Sequence, residues 1–435
     1  STMLLKRIQL GLIHVAVAIT LVPINSTLNR VMIKELAISA TIVAILASLP
    51  YVFAPMQVAI GSFSDRHPIL GLRRTPYILI GLLFCVAGVV ISPQIAFLMA
   101  ENPALGLLAA ALGFGAWGMG YNFASVSYLA LASELSGENG RGRTIAVMWF
   151  MMIVSIIFTA IGISRMVDPY TAEALQSAFW AVGLAALVLG LVGLIRLEPR
   201  SAPQAAASDE NYTVRQMADV ILSNPQAKLF FVYLMLLLAA ILGQDVLLEP
   251  FGAEAFDLTV TQTTRITSIW GVFVLLAILL AGFLEARKVS KRVVAQAGNL
   301  GALAGFIVIV LSGLTQNLSI FYVGVVLLGV GTGLSTVANL ALMFDLTTPG
   351  MVGLFIGAWG FSNALSRLIG SLMAGVVRDV ATQISGDFIL GYVIVFVIEA
   401  AMLVVAAILL TRLDVSAFQR QVSPPPVIER MALAE

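Results

Sequence analysis

The chain has 435 residues, of which 60% are hydrophobic and 11% charged, and its mean hydropathy is +1.00. Water-soluble domains carry about 25% charged residues, so this composition excludes a soluble globular protein and indicates an integral membrane protein. The formal net charge of +1 predicts no nucleic acid or other polyanionic partner, and the single cysteine, Cys85, excludes an intrachain disulfide.

Apolar stretches of about 20 residues, the length that crosses a bilayer core, recur along the whole chain. They predict an all-α polytopic membrane protein with about twelve transmembrane helices. The first stretch continues past the length of a signal-peptide core with no small-residue cleavage site behind it, so we expect no cleavable signal peptide. The predicted spans are 8–29, 37–64, 75–95, 104–132, 144–164, 175–196, 227–249, 264–285, 293–314, 318–344, 351–377 and 388–411.

One long polar stretch divides the chain after the sixth span. Residues 197–226 are rich in Pro, Ala, Ser and charged residues, which predicts a cytoplasmic linker with an amphipathic helix over 214–222. We therefore predict an N-terminal six-helix bundle over 1–196, this linker, a C-terminal six-helix bundle over 227–412 and a cytoplasmic tail over 413–435.

Lysine and arginine residues predict the orientation. If both termini are cytoplasmic, about 18 of the 24 basic residues lie on the cytoplasmic side and about five on the other side, in agreement with the positive-inside rule. The short turn that carries Arg73 and Arg74 makes the second and third spans antiparallel neighbours.

The two halves of the chain repeat each other. YLALASEL at 128–135 matches NLALMFDL at 339–346, and Trp149 and Trp359 follow at nearly the same distance. Two related six-helix halves predict the major facilitator fold, in which parallel repeats enclose a central substrate cavity.

A group of charged residues surrounds the basic turn. Asp65 and Glu134 lie where the second and fourth spans end, within reach of basic residues. Ion pairs at such positions can stabilise one conformation of two helical bundles that rock against each other. The alternative is that these residues are surface charges that only set the membrane topology. Asp345 is the repeat partner of Glu134 but has no basic neighbours in the sequence, so we expect the second set to be degenerate. The predicted conformational motif comprises Gly61, Asp65, Arg66, Arg73, Arg74, Glu134, Arg141 and Arg143.

Charged side chains inside an apolar span are costly unless they are paired or hydrated. Arg367, near Asn363, and Glu399 both lie in the middle of predicted spans. They either line the central cavity, where Arg367 would meet an anionic or carbonyl group, or pair with a neighbouring helix. The scarcity of other acidic residues within the spans argues against ordinary proton-coupled transport.

The first span contains further polar residues. A neutral imidazole such as that of His14 can ligate the magnesium of a chlorophyll, and the alternative is a histidine bonded to a neighbouring helix or facing the cavity. Asn25, Asn29 and Arg30 either contact a ligand or cap the helix. The sequence has no P-loop, no Cys/His metal spacing and no catalytic triad, so we expect no enzyme activity and no metal site other than His14.

Four segments resemble the PucC/LhaA group, the bacteriochlorophyll delivery branch of the major facilitator superfamily. They are TLNRVMIKEL at 27–36, SLPYVFAP at 48–55, GSFSDRHPILGLRRTPYILIG at 61–81 and ASVSYLALASELSGENGRGRTIAVMWFMM at 124–152. The resemblance implies a membrane factor that delivers or inserts chlorophyll or bacteriochlorophyll and assists the assembly of light-harvesting or photosystem complexes.

The same resemblance implies partners and a location. The partners would be the lipid bilayer and light-harvesting or photosystem membrane subunits, and the location a thylakoid, intracytoplasmic or bacterial inner membrane. Chlorophyll or bacteriochlorophyll would be the only cofactor. The alternative function is a proton- or ion-coupled secondary transporter of a small or amphipathic solute, with Arg367 at its site.

Overall fold

The computed structural model describes residues 2–200, 212–348 and 351–422, and within these ranges the regular secondary structure is helical throughout. The helices of the first half are α1 (Thr2–Ile19), α2 (Ala40–Ala47), α3 (Leu49–Val52), α4 (Gln57–Arg66), α5 (Thr75–Glu101), α6 (Pro103–Met166) and α7 (Ala172–Leu194). Those that follow are α8 (Val214–Ser223), α9 (Pro225–Gly243), α10 (Leu248–Phe256), α11 (Val260–Ala286), α12 (Lys291–Thr315), α13 (Leu318–Asp345), α14 (Val352–Ser385), α15 (Phe388–Thr411) and α16 (Val415–Val422).

Ten helical segments of the described chain are long and apolar enough to cross a bilayer, which confirms a polytopic membrane protein. The predicted span 37–64 is instead broken into α2, α3 and α4, with Pro50 in the first turn of α3 and Pro55 in the 3₁₀ segment that follows. Proline lacks the amide hydrogen that a continuous helix requires. The 34-residue helix α14 is not among the ten, so the total of twelve crossings stays a prediction.

Two predicted spans are joined in α6. This helix continues from Pro103 to Met166 and bends at Gly137, where φ is +66°. Only glycine adopts such a φ without steric cost, so the bend is built into the sequence at this position. The two resulting segments, Pro103–Gly137 and Gly142–Met166, are each long enough to span a bilayer.

Glycine allows close helix contacts at equivalent places in the two halves. A β-carbon on Gly120 of α6 would lie 2.5 Å from the carbonyl oxygen of Gly81 in α5. One on Gly331 of α13 would lie 2.7 Å from the carbonyl oxygen of Gly298 in α12. Small residues permit such backbone approach in membranes. The sequence repeat therefore corresponds to a repeat in packing.

The polar stretch between the halves contains one described helix. α8 begins at Val214 after a capping box in which Thr213 and Gln216 bond each other's backbone amides, and it coincides with the predicted amphipathic helix. α9 begins at Pro225, two residues before the predicted start of the C-terminal bundle at 227. The domain boundaries themselves stay predictions.

Candidate functional site between the two halves

Polar side chains join the two halves where α1 ends and α10 begins. Pro23–Leu28 continues the first helix as a π-helical segment, a geometry that is frequent at functional sites. Ser26 in this segment donates a hydrogen bond of 2.6 Å to Oε1 of Glu249, and Thr267 of α11 donates one of 2.5 Å to the same atom. The hydroxyl groups of Thr27 and Thr264 are 3.0 Å apart. Two helices of one half therefore bond to the first helix of the other.

Arg30 extends this contact by one helical turn. Its side chain is buried, and it donates a hydrogen bond of 2.8 Å from Nη2 to the carbonyl oxygen of Leu258 in the other half. Its Nη1 pairs with the carboxylate of Glu35. A buried guanidinium needs both a counter-charge and acceptors, and here it finds one in each half. Arg30 therefore bridges the halves and does not cap its own helix.

Asp379 of α14 caps a helix of the opposite half. It accepts hydrogen bonds from the backbone amides of Ala40 and Thr41 at 3.1 and 2.7 Å. Arg378 beside it pairs with Glu254 of α10 at 3.0 Å. Burial raises the pKa of the Glu254 carboxyl, which lies outside the membrane-spanning segments, and the charge of Arg378 opposes this increase.

These contacts lie at one end of the helices, which we call the sealed end. It comprises Ser26, Arg30 and Thr41 of the first half and Glu249, Leu258 and Asp379 of the second half. The opposite end of the helices carries Arg73, Arg74 and Lys291, and we call it the basic end. Within the described ranges, no hydrogen bond or ion pair joins the halves at the basic end. Polar contacts between the halves are thus concentrated away from the basic end.

Arg367 lies deeper between the halves. Its Nη1 donates a hydrogen bond of 3.0 Å to the hydroxyl of Tyr51 in α3, and its Nη2 lies 3.4 Å from Oδ2 of Asp245. The guanidinium also lies 5.1 Å from the centre of the Tyr51 ring. About a quarter of each charged side chain is exposed, 25% for Arg367 and 27% for Asp245. Arg367 therefore has a charge partner on its own half and a second contact on the other.

Two acidic residues of this site escaped the sequence analysis. Asp245 and Glu249 follow the apolar part of the predicted span 227–249, where the chain forms a 3₁₀ turn before α10. The expectation that the spans hold few acidic residues therefore does not apply to the end of the span 227–249, which contains both. Pro250 after Glu249 was the available signal of a helix break that exposes side chains to the interior of the bundle.

Glu399 of α15 is completely buried, and neither carboxylate oxygen has a hydrogen-bond partner among the described residues. An ionised carboxylate without a partner is strongly unfavourable in such surroundings, so Glu399 is best accommodated in its neutral form. It has no solvent-exposed surface, and the predicted ligand-binding role for it stays a prediction.

The predicted amide candidates bond within their own helices. The side-chain amide of Asn29 donates to the carbonyl oxygen of Asn25 at 3.2 Å, and that of Asn363 donates to the carbonyl oxygen of Trp359 at 2.9 Å. Oδ1 of Asn29 is buried and has no hydrogen-bond partner in the part of the chain that the structure describes. Of the Asn29 and Asn363 side chains, Asn29 thus offers its Oδ1 to a ligand. The binding roles of Asn25, Asn29 and Asn363 stay predictions.

At the basic end, Arg74 connects two carboxylates. Its Nη2 lies 2.7 Å from Asp65 and 2.8 Å from Glu134, and its Nη1 donates to the hydroxyl of Ser64 at 2.8 Å. Glu198, which the sequence analysis missed, accepts the backbone amide of Arg74 at 2.9 Å and so caps α5. This network lies within one half.

The remaining members of the motif differ in environment. Arg73 lies 3.4 Å from Asp65, Gly61 is buried in α4, and Arg66 and Arg143 are exposed to the surroundings. The side chain of Arg141 lies outside the described part of the structure. The conformational role of this motif stays a prediction.

The expectation of a degenerate second set was wrong. Nζ of Lys291, the first residue of α12, lies 3.1 Å from Asp345 at the end of α13. Lys291 and Asp345 are far apart in sequence, and the fold brings them together as it brings Arg74 to Glu134. Each half therefore carries an ion pair at the basic end.

His14 lies between α1 and α6. Its side chain is 7% exposed, and its ring packs on that of Tyr128 with the centres 5.1 Å apart. Nδ1 has no hydrogen-bond partner in the described structure, which leaves a nitrogen for a metal, but a macrocycle can reach it only if α1 and α6 separate. The ligand role of His14 stays a prediction.

Two related helical halves with a polar site on their shared boundary are the arrangement of the major facilitator fold. Solved structures confirm this fold. A mutant of the nucleoside transporter NupG matches with a TM-score of 0.75 at 14% identity, covering 94% of this chain and 99% of the transporter. An inward-facing, occupied bacterial homologue of the human lysosomal transporter Spinster matches with a TM-score of 0.73 at 13% identity, covering 97% and 98%.

The sequence relatives define the family. The family model described as PUCC protein matches residues 27–418. Protein PucC of Rhodobacter capsulatus is 31% identical over 421 residues, which cover 92% of this chain and 90% of the relative. Protein PucC of Cereibacter sphaeroides is 32% identical over 417 residues, covering 93% and 91%. The chain therefore belongs to the PucC family.

A further relative has a different name. The protein of Rhodobacter capsulatus called Bacteriochlorophyll synthase 44.5 kDa chain is 26% identical over 412 residues, which cover 94% of this chain and 95% of the relative. The family and these names support a photosynthesis-associated integral membrane protein.

Proposed function

We propose that this protein is a non-enzymatic membrane factor that binds chlorophyll or bacteriochlorophyll and passes it to light-harvesting or photosystem subunits during their assembly. The observation that carries the proposal is the PucC family match, which runs through both halves of the chain. The proposal includes a location in a photosynthetic membrane with both termini in the cytoplasm, and the family match supports the first of these two points.

The arrangement of contacts supports a conformational cycle in this function. The bonds of Ser26, Arg30 and Asp379 across the halves are concentrated at the sealed end, whereas the Arg74 network lies within one half. Halves joined in this way can rock about the site around Arg367. Such motion would open the protein to pigment and then release it to a partner subunit.

Gentle purification from photosynthetic membranes tests the proposal. The absorption spectrum of the purified protein should show chlorophyll-type bands, and antenna or photosystem subunits should co-purify with it. The control is a second major facilitator protein purified in parallel from the same membranes, which should be colourless. A colourless preparation without antenna subunits would contradict the proposed function.

A second candidate function is proton- or ion-coupled transport of a small or amphipathic solute. The observation in its favour is that Asp245, Glu249 and Arg367 gather between the halves, since buried ionisable residues in membranes mark ion and substrate pathways. Reconstituted vesicles that accumulate a solute under a proton gradient would support it. Glu249→Gln should then abolish the accumulation. The amide oxygen can accept hydrogen bonds from the same hydroxyl groups, but the amide cannot take up and release a proton as a carboxylate does.

A further inference from the structure

A groove runs along the outside of the first half, separate from the site between the halves. It has a volume of about 570 Å³ and lies between α1, the second segment of α6 and α7. Its walls include Leu12 and Ile19 of α1, Phe150 and Phe158 of α6, and Leu189 of α7. Phe158 is 68% exposed, so the groove opens sideways and not into the protein.

The depth of the groove in the membrane follows from two exposed arginines of α6. Arg143 and Arg165 are 22 positions apart, which corresponds to about 33 Å along a helix and matches the ~30 Å hydrocarbon core of a bilayer. Phe150 and Met166, the first and last α6 residues that line the groove, are 16 positions apart, or about 24 Å. The groove therefore opens to lipid over most of the core.

The lining accepts hydrocarbon only. Two hydroxyl groups occur among the lining residues, those of Ser155 and Thr159. The hydroxyl of Ser155 already donates to the carbonyl oxygen of Met152 at 2.6 Å within its own helix. Among the described residues, no charged side chain lines the groove. A polar or charged molecule would lose its hydration here without gaining partners.

The length of the groove favours a long chain. Its volume of about 570 Å³ leaves room for a long hydrocarbon chain. One leaflet of the core is only about 15 Å deep, so an acyl chain that ends at the midplane would fill little more than half the groove. A chain that crosses the midplane fills it.

We propose that this groove holds the long isoprenoid tail of the chlorophyll-type pigment, which enters sideways from the bilayer. This inference rests on the proposed function and adds a site for the tail outside the space between the halves. The tail gains affinity from close packing against the groove walls, and the macrocycle stays free to be handed to a partner subunit.

Gly162 offers a direct test because it lines the groove and a β-carbon built on it meets no atom within 4 Å. The side chain in Gly162→Leu would project into the groove and displace about two methylene groups of the tail. A matched control is Gly282→Leu in α11, where a β-carbon also meets nothing. Ala185→Phe obstructs the groove from the α7 wall and serves as a second variant should Gly162→Leu fail to fold.

The full-length protein in phospholipid vesicles would be equilibrated with chlorophyll or with chlorophyllide, which has the same macrocycle without the tail. Retention is the pigment held in excess of that in protein-free vesicles, and by this measure the wild type should retain more chlorophyll than chlorophyllide. Gly162→Leu should lower chlorophyll retention, because its side chain occupies space that the tail needs, and leave chlorophyllide retention unchanged. Gly282→Leu should behave as the wild type.

The outcomes separate the two proposals. Equal retention of both pigments by the wild type, or unchanged chlorophyll retention in folded Gly162→Leu and Ala185→Phe, would overturn the tail site and leave the proposed function intact. Retention of neither pigment by the wild type would overturn both proposals.

Discussion

Asp379 of the second half caps α2 of the first half at Thr41. Its Oδ2 accepts the backbone amide of Thr41 at 2.7 Å and the hydroxyl of the same residue at 2.6 Å. The first amide groups of a helix have no acceptor within the helix, and here the opposite half supplies one. α2 keeps this cap only while the halves stay together at the sealed end, so its stability is linked to the conformation of the whole protein.

Asp379→Ala should therefore loosen the sealed end. Losing a helix cap costs about 1 kcal/mol, which corresponds to about a fivefold increase in the open population. A cysteine in place of Thr261, which is buried at the boundary, would report opening through its rate of alkylation. The native Cys85 is fully buried and gives little background.

The matched control for this experiment is Asp387→Ala. Asp387 caps α15 by accepting the amide of Ile389 at 2.9 Å within the same half. This variant loses a cap of the same chemistry without losing a contact between the halves. Equal alkylation rates in the two variants would show that the Asp379 contact does not hold the halves together.

The pair of Arg367 and Asp245 should be energetically coupled. Arg367→Gln leaves Asp245 with a poorly compensated charge, and Asp245→Asn does the same to Arg367. The double variant should be more stable than the sum of the single effects implies, with a coupling of about 0.5–3 kcal/mol. Thermal unfolding of the four proteins in the same detergent measures it, and additive effects would mean that the ion pair contributes nothing.

In the Arg74 network, replacing the carboxylate Asp65 and replacing Arg74 itself should have different effects. Asp65→Asn leaves Arg74 paired with Glu134 at 2.8 Å, so the protein should reach the membrane in normal amounts while its function falls. Arg74→Ala leaves the buried Asp65 without its nearest charge partner, which should cost about 3–5 kcal/mol and lower the amount of protein. Immunoblots of membranes and pigment retention distinguish these effects. Loss of abundance in Asp65→Asn would indicate a merely structural role.

His14→Phe tests whether the histidine binds pigment. A phenyl ring can keep the packing on Tyr128 but has no nitrogen for magnesium. Because the imidazole is buried between α1 and α6, we expect bound pigment per protein to remain unchanged. A clear loss of pigment in the folded variant would instead identify His14 as a ligand.

The fold was largely predictable because its signals are local or repeated. Apolar stretches of membrane length and the match of 128–135 with 339–346 predict related helical halves, and the structure has them. Helix breaks were harder to predict. The span 37–64 looks continuous by hydropathy, yet Pro50 and Pro55 divide it, while Gly137 bends a single helix where two separate spans were expected.

The site was less predictable because its pairs are formed by tertiary structure. Arg367 was recognisable as a charge inside a span, but its partner Asp245 lies 122 positions earlier, at the edge of another span. Lys291 and Asp345 are 54 positions apart and meet only because α12 and α13 are antiparallel neighbours. Residue type and hydropathy indicate which groups need partners, whereas the packing of helices decides which partners they meet.

Transfer of pigment to an antenna polypeptide tests the central claim most directly. The protein loaded with chlorophyll-type pigment would be mixed with vesicles that contain a pigment-free antenna polypeptide, and the absorption shift on pigment binding to that polypeptide would be followed with time. We predict faster transfer than from vesicles that hold the same pigment without the protein. Equal rates from the two sources would contradict a role in pigment delivery.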